Sequence, residues 1–235
     1  MDFKTKYLKY KNKYTTLKNK LSGGSYTLSK EVVVDHVGDE IKYIYPEVTI
    51  ITSKTKIGSG GTGSVTLGRI ENCILNPSLN GRQIAIKNFV EYDTESKEKE
   101  KRNMLTYRID EDGKIIEHPL IASLYFDIKY GPLKNKLIYE YGGKTLSAYR
   151  VGVPEYSLEN NKRILIDLFT IFAELVHKDN MHNDIKCANT VYSIEPTGVV
   201  KTKLIDFGSS RSISQMESGI DSFKSRTNIN NFTKK

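Results

Sequence analysis

The chain has only two cysteines, Cys73 and Cys187, and no uninterrupted apolar run approaching the roughly 18 to 20 residues of a membrane span. Two thiols cannot build the disulfide framework of a small secreted domain. The N-terminus is charged from its second residue and never develops the apolar core of a secretory signal, so a reducing, intracellular setting is expected. The most apolar segment, ILIDLFTIFAELV at 164–176, is broken by Asp167 and Glu174. It falls short of the roughly 20 apolar residues that span a bilayer, which excludes an integral membrane protein built on helices. Internal repeats are also absent.

What remains is enough for a sizeable core. The 235 residues are 38% hydrophobic, with 15 Tyr and 8 Phe, and suit one large domain or two lobes. The net charge of +8 is unevenly placed: residues 1–21 hold seven lysines against one aspartate, +6, which leaves +2 for the rest. A near-neutral body argues against a nucleic-acid groove, and no specific nucleic-acid partner is expected. Within the basic tail, Phe3, Tyr7, Tyr10, Tyr14, Leu17 and Leu21 recur at steps of 4, 3, 4, 3 and 4, one stripe of a helix that Gly23 and Gly24 would stop. Such a helix either packs on a neighbour or frays in solution, or it docks to a partner helix or an anionic surface through the surrounding lysines.

From residue 25 the composition turns β-branched and aromatic, with strands expected at 48–57, 64–71, 82–90, 121–129 and 136–141. One charged stretch of helix formers, TESKEKEKRNMLTYRI, interrupts them, with Met104 and Leu105 at its apolar end. Beyond Gly142 and Gly143 the pattern becomes helical. Ile164, Leu165, Leu168, Phe169, Phe172, Leu175 and Val176 are expected to form the buried stripe of a helix. Two strands joined by EPTG at 195–198 follow, and the chain ends in a Ser-, Asn- and Lys-rich stretch expected to be mobile. The expected organisation is therefore a tail at 1–24, a β-rich part at 25–141, a partly helical part at 142–215 and an end at 216–235.

Four pieces carry chemistry. Gly58, Gly60 and Gly63 stand in GxGxxG spacing, where missing Cβ atoms let backbone N–H groups approach a phosphate chain; a glycine-rich hairpin without a ligand would read the same. A strand follows these glycines, against a Rossmann turn, and no GK[ST] follows, which excludes a Walker loop. In IAIKNF, alternation puts Ala85 and Lys87 on one face, so the ammonium must reach solvent or meet an anion. Glu100 is the chosen carboxylate, with Glu91, Glu95 and Glu98 as alternatives. In MHNDIKCAN, Asp184 can accept a hydroxyl proton, Lys186 can balance charge on a phosphoryl group, and Asn189 offers an oxygen to a hard cation; Cys187 reads as a small filler. Asp206, in LIDFG, lies 22 residues past Asp184 across a hairpin that would bring it back to Asn189.

The order GxGxxGxV, AIK, acidic helix, HxDxKxxN and DFG resembles the eukaryotic-type protein kinases over about residues 50–215. The resemblance implies a bilobal α+β fold with a β-rich N-lobe carrying one helix and a shortened helical C-lobe. It implies ATP and Mg²⁺ as cofactors and a protein substrate with Ser or Thr, since tyrosine kinases usually replace the lysine equivalent to Lys186. Under it, Gly58, Gly60 and Gly63 form the phosphate-covering loop, Ile57, Val65 and Ala85 belong with them to the cofactor site, and Lys87, held by Glu100, binds the α- and β-phosphates. Tyr139 takes the gatekeeper position, and the backbone of Glu140 and Tyr141 faces adenine. Asp184 and Lys186 become catalytic; Asn189 and Asp206 become the Mg²⁺ ligands. Separately, KYLKYKNKY followed by the double glycine resembles N-terminal segments in proteins of giant double-stranded DNA viruses, which implies host cytoplasm or virion as the location.

Three departures stand out. Asn183 replaces the arginine that in many relatives pairs with an activation-loop phosphate, so a switch of that form is not expected. The connection at 71–82 is extra and is expected to lie harmlessly at the surface. Only 27 residues follow Gly208, without an APE-like triplet. That ending is compatible with a compact atypical kinase, as in the RIO type, with an ATP-binding interaction module, or with a truncated kinase whose helix at 164–176 exposes apolar surface.

Overall fold

A computed structural model describes residues 28–60, 63–90, 94–106 and 118–214. The stripe expected at 1–24, Glu91 and the end expected at 216–235 lie outside the described residues. The chain divides into two compact units, Met1–Gly143 and Lys144–Lys235. The architecture is α+β, with one large antiparallel sheet and, among the described residues, two α-helices.

The first unit holds strands β1 (Val33–Val37), β2 (Glu40–Ile44), β3 (Thr49–Gly60), β4 (Gly63–Glu71), β5 (Gln83–Phe89), β6 (Leu124–Asp127) and β7 (Lys136–Glu140), and helix α1 (Thr94–Thr106). The strands pair in the order β1-β2-β3-β4-β5-β7-β6. Period-two alternation separates the faces: Ile84 and Ile86 of β5 are fully buried in a core with Ile50, Ile70, Phe126 and Ile138, while Ala85 and Lys87 point to the other side. Burying each such isoleucine contributes about 1.5–3 kcal/mol. The hairpin β1–β2, turned at Gly38 with φ +61°, has no counterpart in the expected strands. Its first strand is exposed at all five positions, so no buried alternation marks it.

The connection at 71–82 corrects an expectation. It runs at the surface but is anchored in the core: Cys73, Leu75 and Leu79 are buried in the cluster with Ile70 and Ile84, while Asn72, Ile74 and residues 80–82 stay exposed. A 3-10 turn at Pro77–Leu79, capped by the Asn76 side chain on the Ser78 N–H, folds the segment back so that these side chains turn inward. The Asn80 carboxamide oxygen accepts from the Cys73 N–H at 2.5 Å and closes the turn.

At the head of β4, Gly63 has φ +148°, and a Cβ there would stand 1.9 Å from the Asn88 carbonyl oxygen on β5. Gly63→Ala must therefore either break the β4–β5 pairing or strain the backbone. A loss of about 2 kcal/mol or more in urea unfolding of the purified protein is the expected outcome.

The second unit holds β8 (Lys144–Thr145), α2 (Leu158–His177), β9 (Asn180–Met181), β10 (Thr190–Ile194), β11 (Val200–Leu204) and β12 (Arg211–Ser212). Ser157 caps α2 by accepting the Asn160 N–H. The hairpin β10–β11 turns through EPTG, with Gly198 at φ +83° donating to the Glu195 carbonyl. Helix α2 lies on that hairpin: Ile164 packs with Tyr192 and Val200, and the buried Asp167 accepts the Thr202 N–H at 3.0 Å while pairing with Arg163.

The face of α2 differs from the expected stripe. Ile164, Asp167, Ile171 and Leu175 are buried, whereas Leu165, Phe169 and Val176 are 55%, 69% and 63% exposed. The helix is apolar on more than one side, and a narrow hairpin covers only the side whose aspartate can reach the Thr202 amide. No described helix is long and apolar enough to cross a membrane.

Candidate active site

In the first unit the sheet itself lines up the candidate residues. Register pairs Gly58 with Val65, Val65 with Lys87, and Lys87 with Leu137; one row further, Ala85 faces Leu67 and Tyr139. Directly paired residues share a face, so Val65, Ala85, Lys87 and Tyr139 lie on the side opposite the isoleucine core. Ile57 is partly exposed just before Gly58, and Gly60 ends β3 opposite Gly63. Unlike Gly63, Gly58 is not demanded by the fold: a Cβ there would meet Val65 at an ordinary 3.8 Å.

Lys87 and Glu100 meet. The ammonium stands 2.5 Å from Glu100 Oε2, and the two residues are 7% and 2% exposed. Of the alternatives, Glu98 lies instead within 3.5 Å of Lys101. The second oxygen, Glu100 Oε1, accepts a 2.7 Å hydrogen bond from the Tyr139 hydroxyl. Sequence reasoning placed Tyr139 but missed this bond. A signal existed, since Tyr139 and Lys87 fall on the same face of adjacent strands. The N–H of Glu140 donates to the Ser123 carbonyl at 2.8 Å and that of Tyr141 to Gln83 at 3.3 Å. Both amides are thus engaged by backbone carbonyls of the same unit.

In the second unit, β9 leads into His182–Lys186, a 3-10 turn at Cys187–Asn189 leads out, and the β10–β11 hairpin returns the chain so that the Ile205 N–H donates to the Asn189 carbonyl at 3.0 Å. Asn189 and the segment carrying Asp206 are therefore joined through the backbone. Lys186 Nζ bonds both Asp184 oxygens, at 3.0 and 2.7 Å. The buried Asn189 amide nitrogen gives one hydrogen to the Asp184 carbonyl and one to Oδ2, at 2.8 and 2.9 Å. The hydrogen bond from Lys186, followed by that from Asn189, holds the Asp184 carboxyl below its usual range despite some desolvation. Asn183 and Asp206 both adopt left-handed backbone, φ +66° and +64°, which Asn and Asp tolerate best among residues with a Cβ. Cys187 is exposed, so it fills no gap in the core.

His182 is the internal support of this loop. Fully buried, it stacks edge-on against Phe207 at 4.8 Å, and its Nε2 lies 2.9 Å from the Ile205 carbonyl while Nδ1 accepts the Asp184 N–H at 3.3 Å. One nitrogen donating and one accepting defines a neutral imidazole. Burial, opposed in part by the Ile205 hydrogen bond, holds its pKa below the ordinary 6.5. The unfolded chain therefore takes up a proton first, so stability is complete above about pH 6.5 and falls as pH drops toward the lower folded value. Urea midpoints at pH 7.5 and 5.5 are expected to differ more for the wild type than for His182→Gln.

Among the described residues no group of three or more His, Cys, Asp or Glu forms a metal cluster. The donor set is instead an amide and a carboxylate. With both Nδ2 hydrogens given to Asp184, Asn189 retains its amide oxygen, and Asp206 carries a carboxylate one residue past Ile205, whose N–H donates to the Asn189 carbonyl. Two oxygen donors suit a hard cation whose remaining positions are filled by phosphate and water. The chain matches no protein-family model and no curated protein.

Proposed function

We propose that the chain is a protein kinase of the eukaryotic type, bilobal in fold, that transfers the γ-phosphoryl group of ATP to Ser or Thr hydroxyls of proteins. The observation that carries this reading is the buried Lys87–Glu100 pair set on the sheet face that also bears Val65 and Ala85, next to the glycine hairpin. A buried ion pair contributes little net stability compared with apolar side chains of the same volume. A lysine kept there and held by Glu100, itself bonded by the Tyr139 hydroxyl, is therefore best accounted for by an anion it serves. Gly58, a glycine the fold does not require, supports the same reading by leaving room for a phosphate chain above the hairpin.

In this reading Lys87 binds the α- and β-phosphates, and Glu100 and Tyr139 fix its direction. Asn189 and Asp206 would hold Mg²⁺, whose charge would offset that of the phosphate oxygens. Asp184 orients the attacking hydroxyl and takes its proton. A carboxylate held this acidic is a weak base, so orientation and late proton acceptance are its contribution, as a loose transition state allows. Lys186 stabilises charge on the group in transfer. Asn183, uncharged, leaves no cation at that position for an activating phosphate.

Calorimetric titration of the purified chain with ATP, with and without Mg²⁺, tests the nucleotide site. Saturable binding that weakens without Mg²⁺ and in Asp206→Asn is expected; no binding in either condition would sink the reading.

A further inference from the structure

Helix α1 carries Glu100, yet little apolar surface seats it. Its inward positions are Lys97, Glu100, Lys101 and Met104, the i, i+3, i+4, i+7 stripe of one face, and only Met104 is hydrophobic. Lys97 is 5% exposed and Glu100 2%, so these charges are buried with the helix and must be met from the sheet.

Asp127, at the end of β6 and 1% exposed, meets two of them. Lys101 Nζ lies 2.5 Å from Asp127 Oδ2. Lys97 Nζ lies 3.0 Å from Oδ1, a charge contact without hydrogen-bond alignment, and donates to the carbonyls of Lys134 at 3.0 Å and Ile128 at 3.3 Å. Register places Asp127 opposite Leu137, and Leu137 opposite Lys87. The aspartate and Lys87 thus occupy one row of the same sheet face, two strands or about 10 Å apart. The sheet row offers a cation and an anion, and α1 answers with Glu100 for the first and Lys97 and Lys101 for the second. Turning or sliding α1 would set ammonium against ammonium and carboxylate against carboxylate.

We propose that Asp127 is a positioning residue for the Lys87–Glu100 pair: by binding Lys97 and Lys101 it fixes the rotation and register of α1 that present Glu100 to Lys87. The pair is then assembled by the chain itself, and no activating partner on α1 is needed. The functional consequence rests on the kinase reading; the geometry does not. Burial opposes ionisation of Asp127, but the hydrogen bond from Lys101 and the nearby Lys97 outweigh it and hold its carboxyl below the usual range, in keeping with a permanent anion.

The test needs no nucleotide, so its failure is distinct from failure of the kinase reading. The full chain is treated briefly with an amine-acetylating reagent, and modification of each lysine is followed by mass spectrometry. Asp127→Asn is expected to raise the labelling rate of Lys87 about tenfold, while Lys54 and Lys56, exposed on the same sheet, and Lys186 keep their wild-type rates. Asp127→Glu, which keeps the charge, is expected to return part of the protection. If Asp127→Asn fails to fold, Lys101→Met carries the test, because Lys97 still neutralises Asp127; a rise of about threefold confined to Lys87 is expected. Unchanged labelling of Lys87 in a folded variant, or an equal rise at every lysine, would overturn the proposal.

Discussion

Asp184→Asn is expected to lower phosphoryl transfer by about 10²- to 10⁴-fold while leaving ATP affinity within twofold. The substitution is nearly isosteric. Asn189 can still donate to the side-chain oxygen, and the 2.8 Å bond to the Asp184 carbonyl is untouched, so the loop keeps its shape. What is lost is the anion proposed to take the hydroxyl proton, and with it the charged partner of Lys186. Single-turnover transfer and a nucleotide titration on the same preparation check both halves; a parallel loss of binding and transfer would mean that the loop had collapsed instead.

Lys87→Met is expected to have the second large effect, and on two quantities at once. ATP binding should be lost, and the first unit should lose about 3–5 kcal/mol, because Glu100 at 2% exposure is left without its ammonium. The double variant Lys87→Met with Glu100→Leu separates the two effects. Replacing the whole pair by apolar groups removes the stranded charge, so urea unfolding should return close to the wild-type midpoint while ATP binding stays absent. Binding restored along with stability would show that the ammonium serves structure alone.

Much of the first unit could be read from the residues because local patterns and motif spacing agreed. Alternation around Lys87 defined the face it shares with Ala85, and the acidic stretch before Met104 left few carboxylates to choose from. Tertiary choices were harder. Helix α2 is apolar on two sides, and nothing local to Leu165 or Phe169 says that the side carrying Asp167 wins; the Thr202 amide of β11, which donates to Asp167, decides it. The 71–82 connection looked dispensable because it interrupts a known pattern, although Cys73, Leu75 and Leu79 with the Asn76–Pro77 cap already spell a folded insertion. Asp127 was hidden in a strand too apolar to expect an anion. A lone carboxylate in such a strand is itself a signal, since it must have a cation waiting.

The same logic explains why the site reads more clearly than the frame around it. Closely spaced glycines in a hairpin, a lysine with a carboxylate, and an aspartate beside an asparagine are each legible over a few residues. Strand β1, whose five side chains are all exposed, carries no such requirement.

The most direct test of the central claim is transfer itself. Purified chain is incubated with Mg²⁺ and γ-labelled ATP in the presence of a general protein acceptor, and the labelled residues are identified. The account predicts label on serine and threonine, none on tyrosine, and none with Asp184→Asn. Saturable ATP binding with no label on any protein would contradict it.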